Sequence, residues 1–599
     1  QVMDTSYENA RSEFSESIPL LEKSSKSVTD DQNTPTHSSP SIFTCAVVCI
    51  LVTELCERLT FYSISGNIVY FATRSNHLNM TPAVASTLAL MFQGICFTMP
   101  VLGGWLADSK GGKFSVILFS AVIYLLGTLL LPLGSIERND SNKEKSQWAA
   151  NDVTTNLTFM QAVYITGLFL VAFGTGGIKA NVSPFGAEQI SNRGPAAIQA
   201  FFSWFYWFIN VGALVSYTVV VYIQQNISFF YGNLIPACAL ILSLIVFLSG
   251  KRTYVLQSPT ESPLTKILNI IKEAIKKSRR PSFSSSFVKH WLDRAKMCFG
   301  GSYSSGEVED VKNVFRLLPI FGTFIVYWTV YAQMFTSMIH QGENMNIKIY
   351  GDLDFPIASL ALFAILGLLI SVPVMDKFVY PLLARCGICP SQLQRIGLGM
   401  IIMTAGIACA GGLELYRVKE CCMLQTRNGD VNATEVANIT IFYQVPQYTL
   451  IGLSEVFASV TGLELAFTEA PKSLQGVIMG VFLLTTGLGF FLGAALVAIV
   501  NVVSKAFSGE DGKWFPDKKY VNKSHYLAYF FFLLAGLMFL NFIVYIFVAL
   551  SFKKRKESAS RATMSREVMN NGKPPSLTRE NEPDKSSWSS SQSSGNSAP

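Results

Sequence analysis

The chain has 599 residues, half of them hydrophobic, with 15% charged residues and a formal net charge of +7. A soluble domain carries roughly 25% charged residues, so this composition excludes an ordinary soluble enzyme and points to a protein that crosses a bilayer many times. The basic excess gathers in a few segments, which excludes a nucleic-acid-binding surface and instead sets an orientation in a membrane.

Residues 1–41 are polar and Ser-rich and read as a disordered cytosolic tail. Within it Glu16, Leu20 and Leu21 fit the ExxxLL signal that clathrin adaptors read. A spanning helix needs about 20 apolar residues. Twelve stretches qualify: 42–72, 83–107, 114–135, 159–180, 199–223, 229–250, 314–338, 355–376, 394–416, 441–468, 474–503 and 525–552. The expected fold is an all-α membrane protein of twelve transmembrane helices. The polar segment 251–313 divides them into an N-terminal six-helix bundle, 42–250, and a C-terminal one, 314–552, and a Ser-rich tail, 553–599, follows. Two six-helix bundles joined by a central linker are the architecture of the major facilitator superfamily.

The linker has about two basic residues for each acidic one, and Lys553 to Lys556 follow the last span, so both belong on the cytosolic side with the N-terminus. Glycosylation sequons start at Asn79, Asn139, Asn156, Asn226, Asn432, Asn438 and Asn522, and each falls in a loop that this topology places outside, whereas one further triplet, at Asn181, lies at the inner end of span four. In the linker, Leu264, Ile267, Leu268, Ile271 and Ile275 mark one apolar face of a helix, with Lys272, Lys276 and Lys277 outside it. Two readings stand: a helix lying on the inner leaflet in contact with membrane lipid, or one packed beneath the bundle. Cys386 and Cys389 form a CxxC without a second pair or a nearby His, so no metal is expected.

The first span carries Glu54, Glu57 and Arg58 in its middle. Each ionised side chain at the bilayer centre costs ~2.5–3.5 kcal/mol on insertion scales. On a helix, Glu54 and Arg58 lie about 40° apart and Glu54 and Glu57 about 60° apart, so the three make one polar patch with Phe61 on the same face and Tyr62 at its margin. Lys179 in span four and Glu455 in span ten add charges, and Asn210 and Gln333 add neutral polar groups in spans five and seven. Acids and cations from both halves suit a solute whose ends have opposite charge. Carboxylates beside a cation that moves away take up protons more readily, so such a cavity can couple protons to the solute.

These motifs resemble the proton-dependent oligopeptide transporter family. Glu54-Leu55-Cys56-Glu57-Arg58 with Phe61-Tyr62 is similar to its ExxER motif. Gly103–Lys113 resembles the superfamily loop in which Asp108 pins helix ends. Gly174–Gln189, Phe201–Gly212 and Gly452–Ser473 resemble the span-four, span-five and span-ten signatures. Ser65 stands where oligopeptide carriers have a second arginine, Ala332 where intestinal-type carriers have an aspartate, Leu90 where they have a histidine, and Phe482 where they have a tryptophan. With Val221–Asn226, these departures resemble the peptide/histidine branch of solute carrier family 15.

The resemblance implies proton-coupled symport of histidine and di- and tripeptides by alternating access, with no cofactor beyond the coupling protons and no enzymatic activity. Arg58 and Lys179 would receive the substrate carboxylate and Glu455 its amino group. Glu54 and Glu57 would be the proton-linked acids, with Lys179 exchanging partners, and Tyr62, Asn210 and Gln333 would bond the peptide backbone. The branch implies an endosomal or lysosomal membrane, with the plasma membrane as the alternative, and transport from lumen to cytosol. Two other readings are carried: a transporter-fold scaffold that recruits a cytosolic signalling adaptor, and a carrier of a different solute such as nitrate. Glu455 weighs against a pure anion, and the chain has no G-x-x-x-x-G-K-[ST] motif for an ATP-driven pump.

Overall fold

The first apolar run is broken where its sequence turns small and polar. Helix α1 (Cys45–Ser65) starts at Thr44, whose hydroxyl accepts from Val47 N–H at 3.3 Å, and it ends at Gly66. Asn67 precedes a second short helix, α2 (Ile68–Thr73). The protein is described by a computed structural model covering residues 44–571, apart from 75–76, 137–149, 260–261, 279–289, 351–352, 388–389, 426–433, 472, 510–511, 513 and 516–524. Glu16, Leu20, Leu21, Asn139, Asn432 and Asn522 lie outside the described residues, as does the side chain of Asn156.

The N-terminal half continues with α3 (Pro82–Leu106), α4 (Gly112–Gly134), α5 (Ala150–Glu188), α6 (Pro195–Val215), α7 (Val221–Asn226) and α8 (Phe229–Ser249). Between α3 and α4 the turn Ala107–Gly111 carries Asp108, and Gly112 at φ 68° lets the chain reverse. The linker forms α9 (Pro263–Ser278). The C-terminal half comprises α10 (Ser305–Tyr331), α11 (Ser337–Glu343), α12 (Ala361–Val374), α13 (Tyr380–Arg385), α14 (Gln392–Lys419), α15 (Val445–Glu455), α16 (Thr461–Thr468), α17 (Gln475–Ser508) and α18 (Tyr526–Asn571). Ser304 with Glu307 and Ser391 with Gln394 form capping boxes that start α10 and α14.

Among the described residues, ten stretches are long and apolar enough to cross a membrane. One of them, Pro82–Gly134, has 53 residues and holds the two predicted spans 83–107 and 114–135. Helix α1 is not among the ten and carries the three charges of the first predicted span.

Within the N-terminal half α1 packs on α6 and α8, and α5 packs on α3 and α4. In the C-terminal half α15 packs on α12 and α14, and α10 on α17. The two halves meet along α3 and α17. Helix α5 comes close to its neighbours through small residues: a Cβ on Gly103 would lie 2.7 Å from Gly177 Cα and 2.9 Å from the Gly176 carbonyl oxygen. Without a hydrophobic force between helices in lipid, such close backbone contact supplies the packing. Asn181 adds side-chain hydrogen bonds to the carbonyls of Gly103 (3.2 Å) and Gly177 (2.8 Å).

Two small sheets accompany the helices. Strand β5 (Thr434–Thr440) pairs in parallel with β1 (Met345–Asn346) and antiparallel with β4 (Cys421–Gln425), while β2 (Lys348–Tyr350) pairs with β3 (Leu353–Asp354). Residues 547–571, the described part of a second unit, are helical.

The linker helix packs against protein on one side. Ile267, Ile270 and Ala274 are buried against protein. Trp105 Nε1 of α3 donates to Thr265 at 2.9 Å, and Lys266 pairs with Glu307 of α10 at 2.6 Å. Leu268 and Ile275 remain exposed.

Candidate functional site: a charged cleft between two helical halves

The charges of α1 come together as their helical spacing requires. Arg58 Nε lies 3.1 Å from Glu54 Oε1, and the same guanidinium binds Glu57 Oε2. All three residues are buried. A buried carboxylate keeps its charge only with a partner, and here one planar guanidinium serves two. Glu57 Oε1 has no hydrogen-bond partner among the described residues.

Lys179 comes to the same patch from α5, but its ammonium rests on ring faces. Its Nζ is 3.6 Å from the Phe61 centroid and 4.2 Å from that of Phe97 in α3. It has no hydrogen-bond partner among the described residues. Arg58 also stands over Phe61, at 5.5 Å.

Tyr62 is half-buried and packs on Tyr217 with ring centroids 5.7 Å apart. With Tyr217 it packs against Val221 of its own half and Ala358 and Ala361 of the other, which places it where the two halves meet. Glu455, the last residue of α15, accepts a hydrogen bond from Tyr331 at 3.2 Å. The helix path then widens through Val456–Val460 before α16. Asn210 is half-buried and donates to the Tyr206 carbonyl of its own helix at 2.8 Å. Gln333 is fully buried: its amide donates to Thr329 O at 3.1 Å, and its oxygen accepts from Thr336 (3.1 Å) and Ser337 (2.5 Å). In this conformation its side-chain groups are spent within its own segment. Asp108 sits half-buried in the α3–α4 turn, while the neighbouring Lys113 pairs with Glu188 at the end of α5.

The sequon residues differ in setting. Asn79 and Asn438 are exposed, Asn79 at φ 50° and Asn438 in β5. Asn226 instead donates its amide to the Asp354 carbonyl at 3.0 Å, across the two halves.

Sequence reasoning missed several groups. His340 of α11 bonds Ser86 (3.0 Å) and the Pro82 carbonyl (3.2 Å) in the N-terminal half and Glu343 (3.1 Å) in its own helix. The His-Gln-Gly-Glu run at the end of span seven was the available signal. A fully buried pair, Arg417 with Glu414 at 2.7 Å, joins Gln341, Gln444 and Gln447 in a polar core of the C-terminal half. Only the intramembrane charge of Glu414 and Arg417, at the margin of span nine, hinted at that core.

Paired helical halves around a cleft of opposite charges define a membrane transporter of the major facilitator kind. The chain belongs to the POT family, whose model matches residues 114–515. It is 33% identical over 549 residues to the Arabidopsis thaliana protein NRT1/PTR family 8.1, covering 85% of this chain and 93% of that one. It is 31% identical over 557 residues to solute carrier family 15 member 3 of Mus musculus, covering 87% and 94%. Among solved structures, an auto-inhibited POT family peptide transporter matches with a TM-score of 0.69 at 22% identity, over 84% of this chain and 97% of that one. The in meso structure of the POT family transporter PepTSo matches at 0.67 and 23%, over 86% and 99%. At these identities the two structures speak for the fold.

Proposed function

We propose that this protein is a proton-coupled symporter that carries histidine and di- and tripeptides by alternating access across twelve membrane crossings. The observation that carries the reading is the split of charge: Arg58 and Lys179 come from one half and Glu455 from the other. A zwitterion places its carboxylate against the first two and its ammonium against the third. Arg58, held between Glu54 and Glu57, can release either acid when a substrate carboxylate competes for it, and the released acid is then free to take a proton.

The setting proposed is an endosomal or lysosomal membrane with both termini cytosolic and transport toward the cytosol. The acidic dileucine at Glu16, Leu20 and Leu21 would be read by clathrin adaptors. A second reading, an inorganic anion such as nitrate, draws on the likeness to plant NRT1/PTR proteins. Glu455 weighs against it, because an acid across the cleft from Arg58 gains nothing from a pure anion. The scaffold reading adds a cytosolic signalling adaptor to the same carrier.

The deciding experiment is uptake of labelled histidine, dialanine and nitrate into proteoliposomes with an imposed proton gradient. Acid-driven uptake of histidine and dialanine is expected, with loss in Glu455→Gln and in Lys179→Ala. Uptake of nitrate alone, or full proton-driven uptake in both variants, would overturn the reading.

A further inference from the structure

The ammonium of Lys179 and Oε1 of Glu57 share one buried patch, and neither has a hydrogen-bond partner among the described residues. The ammonium lies instead against two phenyl faces, 3.6 Å from the centroid of Phe61 and 4.2 Å from that of Phe97. We propose that Phe61 and Phe97 form an aromatic cage that holds the Lys179 ammonium off Glu57 in this conformation, which makes both rings positioning residues for proton coupling. The inference deepens the reading of Lys179 as a cation that exchanges partners, and rests on it.

The physical case is one of graded attraction. A desolvated ammonium is stabilised by the negative face of an aromatic ring. That hold is softer than an ion pair with a buried carboxylate. A cation kept by rings therefore stays charged without neutralising the acid beside it, and it moves to that acid when the cage opens. The charged and titratable groups facing Lys179 are Glu54, Glu57 and Arg58 of α1 and Cys96 of α3. On α4, Tyr124 faces Glu57 and Arg58.

The cage is also wired to the relative placement of the halves. Phe97 stacks on Phe490 of α17, with centroids 5.8 Å apart and planes within 3°. Phe490 in turn lies 6.4 Å from Phe335, beside α10. The other wall, Phe61, stacks on Phe92 of α3 at 6.3 Å. One wall is thus anchored inside the N-terminal half, and the other leans on the C-terminal half. A rocking motion that separates Phe97 from Phe490 frees that wall and releases the ammonium.

The test has two readouts. In proteoliposomes, dialanine uptake is measured against external pH for the wild-type protein, Phe61→Leu, Phe97→Leu and Phe61→Tyr. With a wall gone the ammonium settles on Glu57, and half-maximal uptake moves to more acidic pH by about half a unit or more. Phe61→Tyr keeps the ring and the wild-type midpoint. Phe185→Leu removes a ring buried among Phe114, Phe247 and Tyr254; it is expected to lower Tm and leave the midpoint in place. Wild-type midpoints in both cage variants would overturn the cage.

The second readout does not depend on transport. Replacing Phe97 by its trifluorinated analogue weakens the ring face and preserves its shape. Tm should fall in the Lys179 protein and hold in the Lys179→Met background. Equal falls in both would overturn the cage, whereas absence of proton-driven uptake in the wild-type protein would overturn the functional reading and leave this measurement to decide the cage.

Discussion

Thr73, the last residue of α2 in the N-terminal half, donates its hydroxyl to Glu343, the last residue of α11 in the C-terminal half, at 3.1 Å. The same Glu343 bonds His340, which reaches back to Ser86 and the Pro82 carbonyl at the start of α3. Nearby, Gln225 accepts from Ile357 N–H at 2.9 Å, and Ser359 donates to the Tyr217 carbonyl at 2.5 Å. Polar bonds thus close the cleft at one end, over an apolar seal of Tyr62, Tyr217, Val221, Ala358 and Ala361. A hydrogen bond to a charged group contributes about 1.5–3 kcal/mol. Glu343→Gln is therefore expected to shift the open-to-closed ratio at this end by about tenfold or more. Pulsed spin-label distances between exposed positions Val84 and Ile349 would report it as a new, longer population. An unchanged distribution would mean that the apolar seal alone sets the closure.

Arg58 is the single described cation bonded to both Glu54 and Glu57. Removing one partner of a buried ion pair costs about 3–5 kcal/mol, because a charge is left alone. Arg58→Ala is expected to lower the thermal unfolding midpoint sharply in detergent. Adding Glu54→Gln and Glu57→Gln should recover most of the loss, since no charge is then stranded. A triple variant no more stable than Arg58→Ala would show that the guanidinium acts through packing.

What hydropathy and helical angle can report was legible in the sequence. The angular spacing of Glu54, Glu57 and Arg58 placed them on one face, and their bonds follow from that spacing. The choice of partner was less legible. Lys179 could reach an acid or a ring from the same position, and nothing in its spacing says that Phe61 and Phe97 receive it. Gln333 read as a cleft residue because it is polar in an apolar span. The helix there tightens through Ala332–Phe335, and the amide is consumed by Thr329, Thr336 and Ser337. The linker helix was ambiguous for a related reason: an apolar stripe has the same period whether lipid or protein covers it. The closure through His340 and Glu343 joins residues some 260 positions apart, a pairing that hydrophobic period does not encode.

The close approach of α3 and α5 leaves no room for a methyl group at Gly103. A Cβ there would fall 2.7 Å from Gly177 Cα and 2.9 Å from Gly176 O, both of them backbone. Overpacking of this kind costs about 1–3 kcal/mol. Gly103→Ala is expected to lower Tm measurably, whereas Gly322→Ala in α10, where nothing lies within 4 Å of the added Cβ, should leave it nearly unchanged. Equal Tm values for the two variants would mean that α3 and α5 can part at little cost.

The linker contains an ion cluster whose pH window can be stated. Asp293 meets Lys296 at 2.7 Å and Lys312 at 2.6 Å, and Lys296 also meets Glu309 at 2.6 Å. Burial alone would raise the Asp293 carboxyl, but hydrogen bonds from Lys296 and Lys312 outweigh it and hold the group below its ordinary range. Burial alone would lower Lys296, but its hydrogen bonds to Asp293 and Glu309 outweigh that and raise it. A depressed acid contributes stability that is complete above its unfolded value, about 3.9, and is lost as pH falls through its folded value. A raised lysine contributes stability that is complete below its unfolded value, about 10.4, and is lost as pH rises through its folded value. Between about pH 4 and pH 10 the cluster therefore holds the linker steadily. His290 caps the same segment, its Nδ1 accepting from Leu292 N–H at 3.3 Å, and burial and Lys312 hold its imidazole below the usual histidine range, so its own contribution is complete above about pH 6.5 and is lost as pH falls through its folded value. With that group removed in His290→Asn, hydrogen exchange across residues 291–303, corrected for intrinsic rate, should show equal protection at pH 5 and pH 7.5 and a loss only in stronger acid. Adding Asp293→Asn should reduce protection at neutral pH and abolish the acid-dependent loss. A titration of protection between pH 5 and pH 7.5 in the His290→Asn protein would show that some other group governs the docking of the linker while protons move through the cleft.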